Sequence, residues 1–147
     1  MRETGKNISE LAPFWFWKKH KVSNLLSDQV GREILDAAKA QGKGVIIASP
    51  HFGAWELAGL LLSIEAPIHF LYRPNRKPHL DEPVINARER FGGKCYPITS
   101  RGLGKLVRAL KTGDTVAILP DQEPEQDHGV FAPFYNCLLY TSDAADE

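Results

Sequence analysis

Residues 44–57 read GVIIASPHFGAWEL, and this stretch decides the fold. Residues 45–48 form a short apolar run rich in β-branched side chains, which is typical of a buried strand. A helical pattern of apolar residues follows from about residue 54 to residue 64. A buried strand that passes through a short loop into a helix is the repeating unit of α/β domains.

The same alternation continues along the chain. Further helices are predicted over residues 28–40, 81–91 and 104–111, and further strands over 68–72, 95–98 and 115–119. Residues 120–129 read as a polar, acidic loop. We therefore expect an α/β domain with a mixed, mostly parallel sheet flanked by helices. His51 and Asp121 each follow a predicted strand, and sites in such sheets gather where strands end.

His51 and Glu56 are the first candidates for chemistry. The loop-to-helix transition between them can bring the carboxylate back to the imidazole, and Gly53 leaves room for close backbone approach. A histidine with a carboxylate on its far nitrogen is a general base that could deprotonate a hydroxyl. On spacing alone, a purely structural pair is the commoner case. The sequence contains no G-x-S-x-G elbow, no H-E-x-x-H motif and no complete P-loop.

Composition adds a charge asymmetry. The 147 residues suffice for one domain, 43% of them are hydrophobic, and the net charge of zero gives no hint of a nucleic-acid partner. All 18 Lys and Arg residues precede residue 112, and residues 73–111 hold 10 basic against 3 acidic residues. This stretch predicts either a basic surface for an anionic substrate or acidic protein, or an ordinary solvated surface.

Residues 14–17 are four aromatics directly before the basic residues 18–21. Such a segment suits a membrane interface, and a core helix with inward aromatics explains it equally well. The longest apolar run, residues 57–64, is far below the roughly 20 residues that span a bilayer. Cys95 and Cys137 are isolated thiols, which favours a reducing compartment.

Five segments in order give the chain a resemblance to a known family. Residues 44–57 resemble the first motif of the late acyltransferases of lipid A biosynthesis, in the lysophospholipid acyltransferase superfamily, where a His is followed after four residues by an acid. The segments that resemble the family's later blocks are YRPN at 72–75, ARERFG at 87–92, LPDQ at 119–122 and GVFAPF at 129–134. The likeness covers about residues 5–134.

The resemblance implies a glycerol-3-phosphate acyltransferase-like fold and transfer of a fatty acyl chain from acyl carrier protein to a hydroxyl of a lipid A precursor. It implies that His51 is the general base, that Glu56 orients it, and that no metal or cofactor takes part. It further implies location at the cytoplasmic face of the bacterial inner membrane, where the acceptor is a membrane glycolipid. The implied substrate-binding residues are Arg73, Asn75, Arg88, Asp121 and Gln122.

The family is about twice this length, so we expect a domain truncated at both ends. Residues 1–136 are expected to be the partial acyltransferase domain, and residues 137–147 a non-native tail. Two other functions stay open: a lysophospholipid or other glycolipid acyltransferase, and a lipid- or carrier-protein-binding module without catalysis.

Overall fold

The computed structural model describes residues 2–75, 77–121, 129–134 and 137–142. No helix in these ranges is long and apolar enough to cross a membrane. The helices are α1 (Arg2–Phe16), α2 (Lys19–Ser23), α3 (Arg32–Ala40), α4 (Trp55–Glu65), α5 (Asp81–Glu89) and α6 (Ser100–Lys111). A short 3-10 turn, Pro78–Leu80, leads into α5.

Four short strands form one parallel sheet. They are β1 (Val45–Ala48), β2 (Ile68–Tyr72), β3 (Lys94–Pro97) and β4 (Thr115–Ile118), in the order β1-β4-β2-β3. Every pairing in this sheet is parallel, so the predicted α/β class is confirmed. Antiparallel pairing occurs in a separate two-stranded sheet, where β5 (Gly129–Phe134) pairs with β6 (Cys137–Ser142). The prediction that residues 137–147 are a non-native tail stays a prediction.

The predicted elements match the observed ones to within two residues, except at two helix starts. Helix α6 begins four residues before the predicted start because the Thr99 hydroxyl accepts a hydrogen bond from the Gly102 N–H at 3.1 Å and so caps the helix. Helix α3 begins at Arg32 rather than at residue 28, directly after Gly31 in the left-handed region. Helix propensity alone does not mark either start.

Helices cover both faces of the sheet because side chains on a strand alternate between faces. On one face, Leu106 and Ala109 of α6 pack with Val116, and Leu71 joins this cluster. On the other face, the Phe70 ring lies beside Gly59 of α4. The central strands β2 and β4 therefore begin with buried residues, between α6 and α4. The prediction that residues 45–48 form a buried strand is wrong in its burial, because β1 lies at the edge of the sheet and Ile46 is 57% exposed.

Candidate active site

His51 and Asp121 lie side by side because of strand order. β1 and β4 are neighbours, and Ala48 pairs in register with Ile118. Each polar residue lies three positions beyond its strand's last residue, so the parallel register carries both to the same point on the carboxyl edge of the sheet. Residues 70 positions apart in the chain thereby come into contact.

Two hydrogen bonds join the two residues. The backbone N–H of His51 donates to Oδ2 of Asp121 at 2.7 Å, and Nδ1 of the ring lies 2.7 Å from Oδ1. Since an ionised carboxylate only accepts, the proton of the second bond belongs to Nδ1. In the neutral ring, Nε2 is then the nitrogen with a lone pair. Both side chains are partly exposed, so the pair lies at the surface of the protein.

The contact also sets the charge of the carboxyl group. Partial burial opposes ionisation of Asp121, but the hydrogen bonds from the ring and the backbone N–H of His51 outweigh it. The pKa of Asp121 therefore lies below its usual value. At neutral pH the imidazole has an anionic partner.

The expected contact between His51 and Glu56 is corrected by the structure. The Glu56 carboxylate accepts from Nε of Arg88 at 3.1 and 3.2 Å, and Nη2 of Arg88 makes a further short contact with Oε1. Glu56 lies in the first turn of α4, where helix packing directs it toward α5. His51 and Glu56, which lie five residues apart in the motif, thus bond to different partners.

The Glu56–Arg88 pair is the more enclosed of the two ion pairs. The Glu56 side chain is 10% exposed and that of Arg88 is 26% exposed. Burial disfavours the charged guanidinium, but the hydrogen bonds and charge of Glu56 outweigh it and raise the pKa of Arg88 above its usual value. The Arg88 guanidinium therefore stays charged in the folded protein.

Trp55 contacts both pairs, and the sequence pattern did not single it out. Its ring meets the His51 ring edge-on, with centroids 5.0 Å apart, and the guanidinium of Arg88 lies 5.7 Å from its centroid. Gly53 precedes it with φ of +60°, and no described atom lies within 4 Å of where its Cβ would be. Gly53 therefore serves the left-handed turn and not, as predicted, a close backbone approach.

Two of the remaining predicted site residues, Arg73 and Asn75, follow the end of β2. Arg73 is exposed directly after this strand, on the same edge as His51. Asn75 donates to the Asp81 carboxylate from its backbone N–H at 2.7 Å and its side chain at 3.0 Å. Gln122 lies outside the described residues. The predicted binding set is thus partly gathered at one edge, where Asp121 bonds to His51.

The aromatic segment before the basic residues is divided between core and surface. Phe14 is buried, whereas Phe16 is 78% and Trp17 is 42% exposed. Arg90, which directly follows α5, donates to the backbone carbonyls of Phe14 at 3.0 Å and Trp17 at 2.6 Å. The burial of Phe14 agrees with the core interpretation, whereas the membrane-interface interpretation stays a prediction for the exposed rings.

The structure thus has a parallel α/β sheet with a carboxylate-bonded histidine at its carboxyl edge. The chain belongs to the bacterial lipid A biosynthesis acyltransferase family, whose model matches residues 1–141. The resemblance stated from the five segments is confirmed.

Individual relatives agree with the family match. The chain is 31% identical over 84% of its length to a lipid A biosynthesis acyltransferase of Haemophilus influenzae. It is 30% identical over 91% of its length to the lipid A biosynthesis palmitoleoyltransferase of Escherichia coli, and 25% identical over 89% to the lauroyltransferase of the same organism. These matches cover 38%, 43% and 42% of the relatives, so the chain spans about two fifths of their length.

Proposed function

We propose that this protein transfers a fatty acyl chain from the thioester of acyl carrier protein to a hydroxyl of a lipid A precursor, as a step of lipopolysaccharide biosynthesis. Membership of the family and the names of its relatives support the reaction class. The observation that carries the proposal is the His51 ring, whose Nδ1 is bonded to Asp121 at the carboxyl edge of the sheet.

In the proposed reaction, Nε2 of His51 takes the proton from the acceptor hydroxyl as the oxygen attacks the thioester carbonyl. The negative charge moves onto the carbonyl oxygen, and the imidazolium is stabilised by the ionised Asp121. Collapse of the tetrahedral intermediate forms the ester and breaks the carbon–sulfur bond. The departing thiolate takes the proton back from His51, so no group stays attached to the enzyme.

Positive charge near the reacting carbonyl and the acceptor phosphates would stabilise this sequence. Arg73 is the proposed phosphate contact, because it is exposed at the same sheet edge and arginine binds phosphate with two parallel hydrogen bonds. Arg88 is the second positive group, beside Trp55. Asn75 and Gln122 are retained as proposed substrate contacts.

For acyl carrier protein, we propose the exposed face of α6 as the docking surface. Arg101, Lys105 and Arg108 recur at helical spacing and are all exposed, and Arg101 lies at the end of α6 nearest the carboxyl edge of the sheet. A basic face attracts an acidic partner and speeds its association in a salt-dependent way. Charge reversal at Arg101 and Arg108 should weaken carrier-protein binding at low salt, whereas Lys43→Glu, an exposed control, should not.

For the membrane, we propose that Phe16 and Trp17 insert at the inner membrane surface on the cytoplasmic side, with Lys18, Lys19 and Lys21 meeting lipid phosphates. The exposure of the two rings beside a basic cluster supports this. Sedimentation with anionic vesicles should fall for Phe16→Ser and stay unchanged for Phe131→Ser, which changes a comparably exposed ring on the hairpin. Equal loss in both variants would contradict the insertion site.

The reaction is tested by acyl transfer in detergent micelles, with lipid A precursor and lysophospholipid offered side by side. His51→Ala should lower the rate at least about 100-fold, and His79→Ala, at an exposed histidine outside the site, should not lower it. Faster use of lysophospholipid would change the assigned acceptor. Wild-type turnover in His51→Ala, or no transfer by the unaltered chain, would overturn the proposal.

A further inference from the structure

A groove of about 630 Å³ lies between α1 and α5, and its volume is within the range of ligand-binding pockets. None of the proposed reaction-site residues that the structure describes lines it. Its walls are formed by side chains from both helices and by the residue after α5, among them Leu11, Trp15, Phe16, Pro83, Asn86 and Arg90. The groove is therefore separate from the proposed reaction site.

The surface that this groove offers to a ligand is mainly hydrocarbon. Leu11, Phe16 and Pro83 are apolar side chains. Trp15 is partly exposed, but its Nε1 is buried and has no hydrogen-bond acceptor among the described residues, so the accessible part of its ring is carbon. Removing such surface from water is favourable when the occupant is itself apolar. The groove therefore suits a hydrocarbon chain.

Positive charge gathers at the end of the groove where α1 ends. Arg90 donates to the backbone carbonyls of Phe14 and Trp17, which fixes its guanidinium beside the last turn of α1. Three exposed lysines follow α1 within five residues: Lys18, Lys19 and Lys21. An anionic group at this end, joined to an apolar chain along the groove, would match both the charge and the walls.

Phe16 connects the groove to the surface proposed for membrane contact. It lines the groove, and its side chain is 78% exposed next to the exposed ring of Trp17. A bilayer that meets these two rings supplies molecules with an apolar chain and an anionic phosphate together. The ligand chemistry of the groove is thus present at the surface beside it.

We infer that the groove between α1 and α5 binds one acyl chain of an anionic phospholipid from the membrane, with the lipid phosphate beside Arg90 and the lysines after α1. This inference rests on the membrane contact in the proposed function and adds a specific lipid site to it. The chain site itself is measurable without a membrane.

The first experiment uses Trp15 as a contact sensor. Octyl phosphate with a bromine at the end of its chain quenches an indole that it touches, and it is used below its micelle-forming concentration. It should quench the tryptophan fluorescence of the full chain saturably, and Trp15→Phe should remove most of that quenching. Inorganic phosphate alone should not displace it. Quenching that is unchanged in Trp15→Phe would place the chain elsewhere and overturn the inference.

The length of the groove predicts how affinity depends on chain length. Pro83 and Arg90 are seven residues apart, which corresponds to about 10 Å along α5. From butyl to octyl phosphate, affinity should rise up to about fourfold per methylene, and it should level off once the chain outgrows the groove. Affinity that does not depend on chain length would contradict a hydrocarbon site.

The second experiment blocks the groove from each side. Ala12 and Asn86 are exposed residues on its two walls. Ala12→Phe and Asn86→Phe should each weaken octyl phosphate binding at least about tenfold, because the new ring excludes two or more methylenes. Ala37→Phe, at an exposed alanine of α3, is the matched control and should bind normally. Circular dichroism checks that the variants are folded. Normal binding in both blocking variants, or an equal loss in the control, would overturn the inference.

Vesicles and micelles then separate this site from the proposed function. Trp17→Ser should lower sedimentation with phosphatidylglycerol vesicles and leave octyl phosphate binding unchanged. A chain that takes phosphatidylglycerol from micelles into the groove but does not sediment with vesicles would sink the proposed surface contact alone. A chain that sediments normally but does not bind octyl phosphate would sink the inference alone. Displacement of the brominated probe by lipid A precursor and not by phosphatidylglycerol would make the groove a substrate site and overturn the choice of a bilayer lipid.

Discussion

Gly102 lies where α6 meets the end of β3, and replacing it with alanine should destabilise the fold. A Cβ at this position would lie 2.0 Å from the carbonyl oxygen of Pro97 and 3.2 Å from its carbon. Those are backbone atoms that cannot swing aside. Movement of the helix would also disturb the bond from the Gly102 N–H to the Thr99 cap.

The magnitude follows from two opposing effects. Overpacking of this kind costs about 3 kcal/mol, the upper part of the usual range, because the contact is with backbone. Replacing glycine with alanine inside a helix raises the free energy of unfolding by up to about 1 kcal/mol. The net expectation for Gly102→Ala is a loss of about 2 kcal/mol.

Gly104 in the same helix is the matched control. No described atom lies within 4 Å of where its Cβ would be, so Gly104→Ala should gain up to about 1 kcal/mol. The two variants should therefore differ by about 6–12 °C in Tm for a chain of this size. Thermal unfolding followed by circular dichroism measures the difference. A Gly102→Ala variant as stable as Gly104→Ala would refute the close contact between α6 and Pro97.

Three further outcomes are expected. Burial raises the pKa of the Cys95 thiol to about 11 from an ordinary 9.0. Alkylation of this thiol at pH 8, measured by peptide mapping, should therefore be about 100-fold slower in the folded than in the unfolded chain. Equal rates in the two states would contradict the burial of the thiol. Arg90→Met should lower the free energy of unfolding, measured in urea, by about 2 kcal/mol because two charged hydrogen bonds to the end of α1 are lost. Arg101→Met, which changes an exposed arginine, should leave the free energy of unfolding unchanged. The pKa of Asp121 is lowered in the fold, so its contact with His51 should stabilise the chain fully above about pH 5 and lose that effect as the pH falls through the folded pKa. If the difference in free energy of unfolding between the unaltered chain and Asp121→Asn persisted unchanged at low pH, this expectation would be wrong.

Local pattern predicted most of the secondary structure. Val45–Ala48 and Ile68–Tyr72 are strands with the predicted bounds, and α4 differs from its prediction by one residue at each end. These strands are short apolar runs and the helices have a clear period, so the local pattern was enough to place them. The burial of β1 was not predicted correctly, because it depends on the position of this strand at the sheet edge. The start of α6 was missed because a cap depends on one hydroxyl and not on periodicity.

Three of the predicted site residues lie close together, but their contacts differ from the predicted ones. His51, Asp121 and Arg88 were named from the sequence, and the structure brings all three to the region around Trp55 and the sheet edge. The predicted partner of His51 was Glu56, the nearest carboxylate along the chain. Proximity in sequence is a poor guide here, because α4 turns Glu56 toward α5.

The sequence by itself determined an α/β domain, a histidine that follows an apolar strand, and family membership through five ordered segments. Which carboxylate holds that histidine was decided only by tertiary structure. In the order β1-β4-β2-β3, the strands that come first and last in the chain, β1 and β4, are neighbours in the sheet. Their parallel register then places Asp121 beside His51. Strand order depends on how helices pack across both faces of the sheet, and no local pattern of side chains encodes it.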